Sequence, residues 1–174
     1  MLNKQRVPLD GAPGNFKGDI DVLRCAPDYP EQAVAYQLKR IKFGMDQIRN
    51  GTPTKLREYS KVAQQANLLA RMGFWQVYAY VVVVVDAREQ NAGKNTYAGL
   101  SSTLKSLVHS AVSTQPLDER VGLAVLDFTQ PMDYMPFTVG THGLHLERPS
   151  KPTTKSDELT CWVREIFAKK HSAK

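Results

Sequence analysis

Three residues carry types and spacings that point to phosphoryl chemistry. Asp21 lies in Gly18-Asp19-Ile20-Asp21-Val22-Leu23, where a two-residue period puts Ile20 and Val22 on one face of a strand and Asp19, Asp21 and Leu23 on the other. Sixteen residues later come Gln37, Leu38 and Lys39. Hydrolysis of a phosphodiester needs oxygen ligands to hold a hard divalent cation beside the phosphate, and a fixed positive charge where negative charge gathers. Asp21 offers a carboxylate, Gln37 a side-chain carbonyl, Leu38 its backbone carbonyl and Lys39 an ammonium. Gln37 and Lys39 are two apart, so on a strand they project side by side. A bland alternative uses the same residues: Asp21 and Lys39 as a cross-strand ion pair of small energetic weight.

These residues need an antiparallel hairpin spanning 18–43. Cys25-Ala-Pro-Asp-Tyr-Pro-Glu reads as its loop, about eight residues long, because two closely spaced prolines interrupt a ladder. Ala33 to Phe43 reads as the second strand, with Ala33, Ala35, Gln37, Lys39 and Ile41 sharing a face. Thr52-Pro53 is an N-cap followed by proline at the first helical position, and Gly73 is a C-terminal stop. Between them Leu56, Tyr59, Val62, Ala63, Ala66, Leu69 and Ala70 recur at helical spacing. Val77 to Val85 carries five consecutive valines, the pattern of a central strand covered on both faces. It ends at Asp86. A second amphipathic helix is expected near 101–113, with Leu104, Leu107, Val108 and Ala111 buried, then a strand at Val121 to Phe128. A last helix, capped by Ser156, buries Leu159, Trp162, Val163, Ile166 and Phe167.

The expected organisation is one domain over residues 1–174. It has an N-terminal arm or short edge strand at 1–17, a core at 18–129, an irregular region at 130–155 and a C-terminal helix at 156–170. The order β-β-α-β-α-β and a final helix indicate an α/β sandwich, a central mixed sheet flanked by helices.

The order of elements around Asp21, Gln37 and Lys39 resembles the PD-(D/E)XK, or restriction-endonuclease-like, nucleases. That family places an acid on one strand and an acid or glutamine, any residue and lysine on the next, followed by a helix and a further hydrophobic strand. The glutamine, with Arg40 adjoining Lys39, looks most like the Mrr-type branch. The resemblance covers roughly residues 18–86. It implies a restriction-endonuclease-like fold, Mg²⁺ or Mn²⁺ as cofactor, Asp21 as principal metal ligand, Gln37 as second ligand and Lys39 as catalytic lysine. The family usually begins with a helix that packs on the sheet and often brings a glutamate. Here the C-terminal helix, with Glu158 and Glu165, could take that place, and Asp19, Asp28 or Glu31 could add charge beside the neutral Gln37.

Net charge agrees with a polyanionic partner. The chain carries 23 Lys and Arg against 17 Asp and Glu, a formal charge of +6. Between Lys39 and Lys61 stand seven basic residues and two acidic ones. Arg40, Lys42, Lys55, Arg57 and Lys61 are the candidate phosphate contacts, with Gln64 and Asp86 as accessory groups. A solvated basic face is the structural alternative. DNA is the expected substrate ahead of RNA, in genome defence or DNA processing. The competing function is a silent nucleic-acid-binding or assembly subunit on the same fold.

Other candidates fare worse. Asp86 after the valines suggests a nucleotide-triphosphatase strand, but Gly93-Lys94-Asn95 fails the phosphate-loop pattern. His142 and His145 lack the partners of a zinc site, and His109 and His171 are weaker still. Met132, Tyr134, Met135 and Phe137 form an apolar group that could meet a second copy or another protein. Cys25 and Cys161 read as free thiols of a reducing compartment. No stretch has the length of a membrane span or the pattern of a signal peptide, so the expected location is the cytoplasm.

Overall fold

The structure is a computed structural model. It describes residues 1–14, 16–44, 59–86, 106, 108, 110, 114, 116–129, 140–154 and 156–169, with backbone alone for 42–44, 85–86, 127–129 and 140–145. Six strands form one mixed sheet in sequential order: β1 (Leu2–Pro8), β2 (Asp19–Ala26), β3 (Tyr29–Gly44), β4 (Gln76–Asp86), β5 (Val121–Thr129) and β6 (Gly140–Arg148). Strands β1, β2 and β3 make an antiparallel meander, β4 and β5 run parallel to β3, and β6 is antiparallel to β5. Helix α1 (Tyr59–Met72) lies between β3 and β4 in sequence, and α2 (Asp157–Ala168) follows β6.

The valine strand is central, as its β-branched run demands, with parallel neighbours on both sides. Its coverage differs from the expectation. Val77, Ala79, Val81 and Val83 are buried on the face that carries Ala33, Ala35 and Ile41, whereas Tyr78, Tyr80, Val82 and Val84 are only half-buried. Among the described residues both helices lie over the first of these faces. Identical valines therefore have different surroundings, which strand periodicity alone does not distinguish.

Small residues set the spacing of that layer. Ala63, Ala66 and Ala70 of α1 are buried with Ala35 and Ala79 of the sheet, so the helix axis sits close to the strands. Gly73 ends α1 at φ +91°, its N–H reaching the Ala70 carbonyl. That is the left-handed stop expected of a glycine there. Ser156 caps α2 by accepting from the Leu159 N–H, and Phe74 meets Trp162 edge to face at 6.4 Å. Glu158 and Glu165 of α2 are both exposed.

Several expectations are corrected. The hairpin loop is shorter than eight residues: Ala26 pairs with Tyr29, leaving Pro27-Asp28 as the turn and Pro30 inside β3. Region 130–155 contains β6, whereas 1–17 holds the expected edge strand, β1. Helix α1 is described from Tyr59, so Thr52-Pro53 and Leu56 lie outside the described residues. Of the helix expected at 101–113, Ser106, Val108 and Ser110 are helical and Val108 is buried; Leu104, Leu107, Ala111 and His109 lie outside. Met132, Tyr134, Met135, Phe137 and His171 also lie outside, as do the side chains of His142 and His145. Cys25 is a buried and Cys161 an exposed free thiol. No helix among the described residues is long and apolar enough to cross a membrane.

On the opposite face Tyr36, Tyr78 and Tyr80 cluster with centroid separations of 5.6, 5.6 and 6.2 Å. Tyr78 lies over Gly122 of the neighbouring strand, its register partner. A β-carbon at position 122 would strike the Tyr78 ring and lie 2.8 Å from the Ser150 backbone nitrogen. Gly122→Ala is expected to destabilise the protein by about 1–3 kcal/mol, the usual cost of overpacking, read as a lowered thermal midpoint.

Candidate functional site

The site begins where a ladder stops. Strands β2 and β3 pair through Leu23↔Ala35 and Val22↔Tyr36. The next hydrogen-bonded step would match Ile20 with Leu38. Instead the Leu38 N–H donates to Asp21 Oδ2 at 2.7 Å. The Asp21 side chain thus takes the place of a backbone acceptor, and its carboxylate meets β3 between Gln37 and Lys39. The N–H and C=O of one residue in an extended strand point to the same edge, so the Leu38 carbonyl also faces this opening.

A backbone irregularity accompanies the opening. Arg6 of β1 has φ +49°, an uncommon conformation for a residue with a β-carbon. Its register position opposite Asp21 is the one step absent from the β1–β2 ladder. Burial along β2 changes phase at the same place: Leu23 and Cys25 are buried on one side of it, and Ile20 on the other. Asp19, Asp21 and Leu23 therefore do not form the uniform face expected from simple alternation.

Gln37 is 3% exposed. It lies on the helix-covered face, where its Nε2 donates to Gln65 Oε1 of α1 at 3.1 Å. Its own Oε1 is buried with no hydrogen-bond partner. Leaving such a group unsatisfied costs about 1–3 kcal/mol, and native folds rarely retain one without a reason. The contact that Asp21 makes with β3 is to the Leu38 N–H, one residue beyond Gln37. Lys39 is half-buried, two residues from Gln37 along the strand.

Burial holds the Asp21 carboxyl above the usual aspartate range. The Leu38 hydrogen bond opposes that shift, nearby Asp19 adds to it and Arg6 opposes it. Desolvation is the leading cause because the side chain is tucked against the edge of β3.

The remaining candidates are dispersed. Asp19 is exposed at the start of β2. Arg40 is exposed and, by strand alternation, belongs to the face opposite Gln37, so it does not flank Lys39. Lys61 and Gln64 are exposed on α1, and Gln65 rather than Gln64 meets the site. The side chains of Lys42 and Asp86 lie outside the described residues, as do Lys55 and Arg57; the Asp86 backbone pairs with Gly44 at the end of β4. Asp28 lies in the hairpin turn, seven residues from Asp21 along an extended strand, roughly 23 Å away. Glu31, six residues from Gln37, is about 20 Å away. Neither can add charge at Asp21. Among the described residues no three His, Cys, Asp or Glu side chains cluster as a metal site.

The aromatic cluster of Tyr36, Tyr78 and Tyr80 was not singled out by sequence. Its signal is the alternation of Tyr78 and Tyr80 with Val77, Ala79 and Val81. No family model, no curated protein and no solved structure matches this chain.

Proposed function

We propose that this protein is a metal-dependent nuclease of restriction-endonuclease-like architecture, with Asp21, Gln37 and Lys39 at its centre. The observation that carries the proposal is the buried, unpartnered Gln37 Oε1 at the point where β2 leaves β3 and Asp21 reaches across. The donor set fits a hard cation: one carboxylate, one amide oxygen and the Leu38 backbone carbonyl. Support also comes from the order of elements, an antiparallel meander, then a helix, then a hydrophobic strand parallel to the third. A Mg²⁺ or Mn²⁺ ion bound there supplies Lewis-acid stabilisation of the phosphate. Asp21 and Gln37 anchor that position, and Lys39 orients the attacking water and stabilises the charge that develops on the phosphate oxygens. DNA is the proposed substrate, with exposed Lys61 among the phosphate contacts.

The test is incubation with supercoiled plasmid, linear DNA and RNA in Mg²⁺ or Mn²⁺, beside Lys39→Ala. The wild type is expected to cut DNA, and the variant to be slower by roughly 10²–10³-fold, the loss typical of removing one preorganised electrostatic stabiliser. A wild type that cuts none of the three substrates contradicts the proposal, as does a variant that cuts equally well. The neutrality of Gln37 and the lack of a three-acid cluster among the described residues favour one alternative, a subunit that binds nucleic acid without cutting. It predicts salt-sensitive binding with no cleavage.

A further inference from the structure

An amide ligand faces a problem that a carboxylate does not. Both oxygens of a glutamate can bind a cation, whereas a glutamine must present its oxygen and turn its NH₂ away. At Gln37 one contact, to the amide of Gln65, bears on that choice. Gln37 Nε2 donates to Gln65 Oε1, and the Gln37 carbonyl oxygen is the end left without a partner. Gln65 stands on α1, 28 residues from Gln37 in sequence, and the small residues between helix and sheet allow the two amides to meet.

From this geometry we infer that Gln65 is a positioning residue for a divalent cation: it holds the Gln37 NH₂ group so that the Gln37 oxygen faces the metal. The inference rests on the nuclease reading of Asp21 and Gln37. Gln65 touches neither metal nor substrate in this role. It acts as an acceptor, so a residue that can only accept will replace it and an apolar residue will not. Supporting contacts of this kind usually change metal affinity by about 10–100-fold when removed.

Mn²⁺ binding to the full chain, followed by electron paramagnetic resonance of the free ion, tests the inference without relying on activity. Gln65→Leu is expected to weaken Mn²⁺ binding by roughly 10–100-fold, while Gln65→Glu, which keeps an acceptor, binds at least as tightly as the wild type. In a Gln37→Glu background the same Gln65→Leu change is expected to have less than about a threefold effect, because a carboxylate needs no orientation. A merely structural Gln65 would cost the same in both backgrounds, and that result overturns the inference. So does a Gln65→Leu protein that binds Mn²⁺ like the wild type, or a Gln65→Glu protein as weak as Gln65→Leu. Asp21→Ala separates this inference from the reading beneath it. If Asp21→Ala abolishes Mn²⁺ binding while Gln65→Leu does not, only the positioning role is lost. If the wild type does not bind Mn²⁺, or binds it no better than Asp21→Ala, the metal site and the positioning role fall together.

Discussion

Asp21→Asn is expected to abolish metal-dependent cleavage, by at least about a thousandfold, while the purified protein stays folded and gains thermal stability at neutral pH. The two effects share one cause. The Asp21 carboxylate is partly desolvated against the edge of β3, and burial raises its pKa. A raised pKa means that the folded protein binds this proton more tightly than the unfolded chain does. Its contribution to stability is therefore fully present below the unfolded pKa and is lost as pH rises through the folded pKa. At neutral pH the ionised group costs stability. An asparagine removes that charge and still offers an oxygen to the Leu38 N–H, so the opening between β2 and β3 keeps its shape.

The same shift gives cleavage a pH dependence with a definite sign. Cation binding needs the ionised carboxylate and competes with the proton, so acidification weakens metal binding and slows cleavage; without metal the Asp21 carboxyl takes up its proton at a higher pH than an ordinary aspartate would. Cleavage that speeds up on acidification would contradict this account, as would an Asp21→Asn protein that cuts normally.

Gln37→Leu makes the second large prediction. The substitution removes a buried carbonyl that has no hydrogen-bond partner in the fold. It leaves only Gln65, which is exposed and can turn its amide to water. Replacing an unsatisfied polar group by an apolar one of similar shape relieves a cost of about 1–3 kcal/mol, so the thermal midpoint is expected to rise. Cleavage is expected to disappear. A stability gain paired with a loss of function is the mark of a residue kept for chemistry rather than packing. If Gln37→Leu lowers stability, the carbonyl has a structural role that this account does not give it.

Much of the site's frame could be read along the chain because the signals are local. Ala33 to Ile41 alternates small or apolar residues with larger ones, which places Gln37 and Lys39 on one face. The valine run is central to the sheet, and the Ser156 cap and Gly73 stop fall where side-chain chemistry requires. The parts that sequence did not show depend on distant partners. Pro27 and Pro30 look like strand breakers, yet one occupies a two-residue turn and the other sits near the start of a strand, where a missing N–H is tolerated. The slip of alternation beside Asp21 accompanies the positive φ of Arg6 on another strand. The contact between Gln37 and Gln65 depends on how closely α1 approaches the sheet. Which face of the valine strand is covered is likewise decided by where the helices settle.

Whether Asp21, Gln37 and the Leu38 carbonyl together hold a divalent cation is decided by diffraction at the manganese absorption edge from crystals soaked in Mn²⁺. A single anomalous peak is expected in contact with the Asp21 carboxylate, Gln37 Oε1 and the Leu38 carbonyl oxygen. Manganese bound only elsewhere, or no peak at this opening between β2 and β3, would contradict that expectation.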